Sequence, residues 1–131
     1  MTEATTQNPP PETPHSDALE VLIDDWCTVQ QTADRLGTNG GRVKRLLRDG
    51  ELLAVRTAGA REPRIPALLL GSDRPVKGLS GTITLLRDAR YDDREALTWL
   101  FTDDPSLPGR PIDALQSNAG TEVRRRAQAL V

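Results

Sequence analysis

One glycine, Gly37, constrains this chain more than any other residue. The surrounding residues 28–64 read TVQQTADRLGTNGGRVKRLLRDGELLAVRTAGAREPR, with a short helical pattern on either side of that glycine. Thr28 followed by Gln31 is a capping box: the hydroxyl accepts an orphan amide of the first turn and the Gln side chain reaches back, so a helix starts near Val29. Gly37 can take the left-handed conformation that ends a helix and turns the chain sharply. Thr38 or Asn39 then caps a second helix, in which Val43, Leu46 and Leu47 recur at i, i+3 and i+4. Ala33 precedes the turn where two helices cross closely and only a small side chain fits. Leu36, Val43 and Leu46 fill the apolar slots between them.

This is the spacing of a helix-turn-helix, and the polar side of its second helix is cationic. Arg42, Lys44, Arg45 and Arg48 project from it, with Thr38 and Asn39 at the leading end. The N-terminal residues of such a helix are the ones that enter the major groove of DNA. After Gly50 the period changes. Leu52, Leu53, Ala54, Val55 and Arg56 read as a short strand, residues 57–62 as a loop, and Arg64, Ile65 and Pro66 as a return strand. A two-stranded ribbon directly behind a recognition helix is a wing, and this one carries Arg56, Arg61 and Arg64.

Charge supports the same division. The net charge of −2 conceals an acidic start, in which residues 1–34 hold no Lys or Arg, and a basic middle, in which residues 35–64 hold eight Lys or Arg against three acids. Positive charge is concentrated where phosphate neutralisation needs it.

The run TVQQTADRLGTNGGRVKRLLRDGELLAVR…RIP resembles the winged helix-turn-helix of the MerR and excisionase type. With LSGTITLLRDARYDDREALTWLFTDDPSLPGRPIDAL and RRRAQAL added, the chain is similar over roughly residues 20–131 to a small family of actinobacterial winged-helix DNA-binding proteins. The resemblance implies a mainly α fold: a winged helix-turn-helix with a short two-stranded wing, then a C-terminal helical region, preceded by a disordered tail. It also implies double-stranded DNA as partner and a role in transcription regulation. One departure is Gly40 and Gly41 at the opening of the recognition helix, where related motifs place better helix formers. Each glycine costs about 1 kcal/mol relative to Ala in a helix interior, which predicts a loose first turn.

Taken in order, residues 1–17 are rich in Pro and Thr and hold no large apolar run, so they read as a disordered tail. Thr5, Thr6 and Thr13 in it are candidate phosphoacceptors for a serine/threonine kinase, each able to add about −1.5 to −2 charges. Residues 18–70 form the winged unit. Leu19, Leu22 and Ile23 suit a helix and Val21, Leu22 and Ile23 equally suit a strand, and Trp26 covers the edge of the core.

Residues 71–131 read as helices packed on that unit. Ser80 caps one bearing Ile83 and Leu86; Asp92 or Asp93 caps another bearing Ala96, Leu97, Leu100 and Phe101. Pro111 opens a third helix and Thr121 caps a last one bearing Val123, Ala127 and Leu130. Arg124, Arg125 and Arg126 suit the negative end of that helix.

A second resemblance bears on this half. REALTWLFTDDPSLPGRPIDAL is similar to the toxin-binding region of Xre/MbcA/ParS-type antitoxins, which implies a protein partner met by Trp99, Phe101 and Arg110. The same helices also make sense as a scaffold for the wing, and both readings stand at this point.

The residue inventory argues against catalysis. His15 is the only histidine, so a His-based triad or a His metal site is not available. Cys27, the only cysteine, reads as a small buried apolar group, and GTNGGR follows a helix rather than a strand, which removes the dinucleotide fingerprint. We therefore expect no enzyme activity, no cofactor and no metal. No apolar run reaches the length that spans a bilayer, and the expected location is the cytoplasm, on the nucleoid when bound to DNA.

Overall fold

The computed structural model of the protein describes residues 13–130. Helix begins earlier than the sequence predicts: α1 spans Thr13–Leu22, which takes in the last part of the segment expected to be a tail. Thr13 opens α1, whereas Thr5 and Thr6 lie outside the described residues. Leu19 in α1 and Ile23 just after it are buried in the core and Val21 is 80% exposed, which settles the ambiguity of that stretch in favour of helical spacing. The chain then forms β1 (Trp26–Cys27), α2 (Val29–Leu36) and α3 (Gly40–Arg48). Trp26 is half-buried and its indole N–H donates to the Ile23 carbonyl at 3.1 Å. Burial pushes the Cys27 thiol above its ordinary range, with Arg35 opposing and Asp25 adding to the effect. It is a packed neutral group.

The sheet has a different partner from the one expected. β2 (Ile65–Pro66) pairs antiparallel with β1, Trp26 opposite Pro66 and Cys27 opposite Ile65. The expected strand through residues 52–56 is reduced to one bridge, Val55 with Arg64, closed by amides donating both ways at 3.1 and 2.8 Å. Leu52 and Leu53 explain this. Successive side chains on a strand point to opposite faces, but both leucines are buried, at 0% and 1% exposure, so that backbone leaves the pleat to feed both into the core. Pro63 and Pro66 have no N–H to extend the ladder.

A 3-10 turn at Ala67–Leu69 leads out of the sheet, and the C-terminal half follows as α4 (Leu79–Asp88), α5 (Asp93–Leu100), α6 (Pro111–Gln116) and α7 (Gly120–Gln128). Two helix starts differ from the sequence reading. α4 begins behind Gly78 at φ 87°, inside which Ser80 is already helical, and α7 begins behind Ala119, one residue before Thr121. Of the two acids offered as cap for α5, Asp92 takes the place, in a capping box with Glu95. Leu79, Ile83, Leu86, Leu97, Leu100, Ile112 and Val123 are all fully buried, and α4 packs on α7 while α1 packs on α5. One continuous apolar cluster joins these residues to Val43, Leu46, Leu52 and Ile65 of the winged half. The two halves share a core.

Candidate nucleic-acid interface

The turn that sets α3 against α2 is built as its sequence requires. Thr28 Oγ1 accepts from the Gln31 amide at 3.0 Å while the Gln31 side chain accepts from the Thr28 amide at 2.9 Å, closing the capping box. Gly37 ends α2 at φ 70°, ψ 35°, and the Thr38 amide reaches back to the Ala33 carbonyl at 2.9 Å. Ala33 and Val43 are both at 0% exposure where the helices cross.

At the start of α3, the Asn39 side chain accepts from the Arg42 amide at 2.9 Å. That oxygen serves the cap, and the amide nitrogen of Asn39 is left to donate elsewhere. The glycine pair does not delay the helix: α3 is helical from Gly40 onward. Asn39 offsets part of the glycine cost, because a side-chain cap of this kind stabilises a helix by about 1 kcal/mol.

With Val43 and Leu46 turned inward, Arg42, Lys44, Arg45 and Arg48 are exposed on the opposite side. Among the described residues, Arg42, Lys44 and Arg45 form no ion pair, and Arg48 makes only a long contact with its neighbour Asp49, at 3.9 Å. The connector adds cations that sequence reasoning missed. Arg74 and Lys77 line a cleft of about 390 Å³ together with Arg42, Glu51 and Asp73, and Arg74 is held by Asp73 at 3.1 Å. Two basic residues in an otherwise small and polar connector were the signal for them.

Arg56 and Arg61 are exposed on the loop that follows α3, and Arg64 is half-buried at the Val55 bridge. The cations of residues 42–64 thus stand on α3 and on the loop that follows it. The proposed partner surface of the C-terminal half does not hold together in the same way. Phe101 is only 2% exposed. Arg110 is half-buried, making two bonds of 2.8 Å to Asp113 and lying 5.5 Å from the Phe101 ring centre. The Arg110 guanidinium holds the Asp113 carboxyl below the usual carboxylate range. Of the three, Phe101 alone is buried, while Trp99 and Arg110 both keep part of their surface exposed. Trp99 is half-buried in a groove of about 920 Å³ between α1 and α5. Phe101 belongs to the internal packing because α5 and its C-cap present Ala96, Leu97, Leu100 and Phe101 together to the core.

Comparison with known proteins bears on both halves. Residues 15–70 match the family model described as "DNA-binding protein Rv2175c, wHTH domain", and residues 76–131 match the "Rv2175c C-terminal domain of unknown function". The chain belongs to the Rv2175c family. Its relative in Mycobacterium tuberculosis (strain ATCC 25618 / H37Rv), called DNA-binding protein Rv2175c, is 41% identical over 126 residues, covering 85% of each chain. The NMR structure of Rv2175c superposes with a TM-score of 0.72 at 39% identity, over 81% of this chain and 80% of that one. The actinobacterial winged-helix resemblance read from the sequence is therefore a family membership. In Rv2175c family terms, the cationic α3 and the loop carrying Arg56 and Arg61 both lie in the winged helix-turn-helix domain, and Trp99, Phe101 and Arg110 lie in the C-terminal one.

Proposed function

We propose that the chain binds double-stranded DNA and regulates transcription, working on the nucleoid as a binding protein rather than an enzyme. In this reading α3 enters the major groove with Thr38 and Asn39 leading; Arg42, Lys44, Arg45 and Arg48 divide between base edges and phosphates, and Arg56, Arg61 and Arg64 grip the flanking backbone. The observation that carries the reading is the unneutralised side of α3, where Arg42, Lys44 and Arg45 face outward without a carboxylate partner among the described residues. A surface left so cationic inside an otherwise acidic protein has a use for anions. The name of the M. tuberculosis relative supports DNA as that anion.

Fluorescence anisotropy of the full chain on random-sequence duplex at about 50 and 200 mM salt tests it. If four or five cations meet phosphates, the slope of log affinity against log salt is roughly −4 to −5. A slope near zero removes the mechanism.

A further inference from the structure

We propose that the C-terminal helices and α1 act as a brace that fixes the wing, with Arg94 and Glu20 as positioning residues for DNA binding. The proposal rests on the DNA-binding reading and gives the C-terminal half a task within it.

The wing needs an external support. Between Val55 and Arg64 its own backbone bonds are the paired bridge at its base and one turn bond, from the Ala60 amide to the Thr57 carbonyl at 3.1 Å. A two-stranded ribbon with so few bonds is marginal by itself in water.

Two side chains from distant elements hold the segment leading out to the tip. Arg94 Nη2 on α5 donates to the Arg56 carbonyl at 2.7 Å, and the Ala58 amide donates to Glu20 Oε2 on α1 at 3.0 Å. Each bond spans 38 residues of sequence. They arrive from the two helices that pack on each other, α1 and α5, so the residue carrying the wing cation Arg56 is gripped on its own carbonyl, with the second bond two residues further on. Both bonds involve a charged group, the stronger kind of hydrogen bond.

The platform behind Arg94 is itself fixed. The capping box of Asp92 and Glu95 closes the first turn of α5 at 2.8 and 2.9 Å. Beside it, Asp93 holds Arg87 at 3.3 Å, and Arg87 lies over the turn that follows α3: a Cβ added to Gly50 would sit 2.8 Å from its Nη1. Further along the winged half, Gln116 of α6 donates to the Leu68 carbonyl at 2.6 Å. Side chains of the C-terminal half thus meet the backbone of the winged half behind α3, at the wing and after β2. Arg94 Nη1 is buried with no partner, which puts the weight of that guanidinium on its bond to Arg56.

The test uses the full chain and the variants Arg94→Ala, Glu20→Ala and Glu20→Gln, the last retaining an acceptor for the Ala58 amide. Without DNA, amide hydrogen exchange across residues 56–60 is expected to quicken about tenfold or more in Arg94→Ala and Glu20→Ala. Glu20→Gln is expected to restore slow exchange, and exchange in α4 and α7 is expected to be unchanged. With DNA, Arg94→Ala is expected to weaken binding about tenfold and to flatten the salt slope by about 1 to 2 as the wing arginines disengage. Arg61→Ala should then cost little further in the Arg94→Ala background, whereas additive losses would mean that Arg94 meets phosphate directly and would overturn the positioning role. Unchanged wing exchange, with normal DNA binding by the unaltered chain, overturns the brace alone. Absence of DNA binding by the unaltered chain is a failure of the functional reading, visible separately from the exchange result.

Discussion

Replacing Arg45 and Arg48 together by Glu is expected to lower affinity for random-sequence duplex at about 50 mM salt by roughly a hundredfold or more. Each reversal removes one neutralised phosphate and adds a repelled one. The fold should be unaffected, because both side chains are exposed and Arg48 has only the 3.9 Å contact with Asp49 to lose. Surface changes of this kind usually stay within about 0.5 kcal/mol. Glu at position 48 does stand near the negative end of α3, which adds a few tenths of a kcal/mol to about 1 kcal/mol. Anisotropy and thermal unfolding measured on the same preparation separate the two effects. Retained affinity in the folded double variant would place the contact surface elsewhere.

The second large effect concerns stability. Phe101→Ala is expected to cost about 3–5 kcal/mol, as removal of a fully buried aromatic ring usually does. Phe101 is 2% exposed and belongs to the shared core, with the Arg110 guanidinium 5.5 Å from its ring centre. Loss of the ring leaves a cavity and removes a cation–π contact of about 0.5–1 kcal/mol. Domains of this size have about 5–15 kcal/mol to lose, so the variant should unfold at markedly lower urea than the parent chain. A change within about 0.5 kcal/mol would mean that Phe101 is a surface residue after all and would return it to the partner-surface reading.

How far the sequence speaks for the structure depends on the range of the chemistry involved. The Thr28–Gln31 box and the Gly37 turn are closed by partners within one helical turn and are present with their expected bonds, and one of the two acids offered as cap for α5, Asp92, fills that place. The apolar slots Ala33, Leu36, Val43 and Leu46 were equally legible, because helical spacing alone sends them to one side. The strand pairing was not. Trp26 and Cys27 are too few to display an alternating pattern, and their partners Ile65 and Pro66 stand far along the chain. Ser80 and Thr121 look like caps in the sequence because the true N-caps of α4 and α7, Gly78 and Ala119, carry no capping side chain to advertise them.

The candidate site divides in the same way. Arg42, Lys44, Arg45 and Arg48 could be assigned to one exposed side from the buried positions between them. Arg94 and Glu20 gave no signal, since an exposed-looking charge on a helix does not reveal a carbonyl or an amide 38 residues away. Arg110 shows a related limit, with 27% of its side chain still exposed. Its nearest acid, Asp113, and the Phe101 ring satisfy it internally, and a resemblance in sequence cannot distinguish that from an arginine held out to a partner.

The central claim is that α3 and the wing are the surface that meets DNA, and amide chemical-shift mapping of the labelled full chain during titration with a short duplex tests it most directly. The account predicts the largest shifts at residues 38–48 and 56–64, shrinking as salt is raised, with α6 and α7 little changed. Shifts concentrated instead around Trp99 and the groove between α1 and α5, with α3 unmoved, would contradict it.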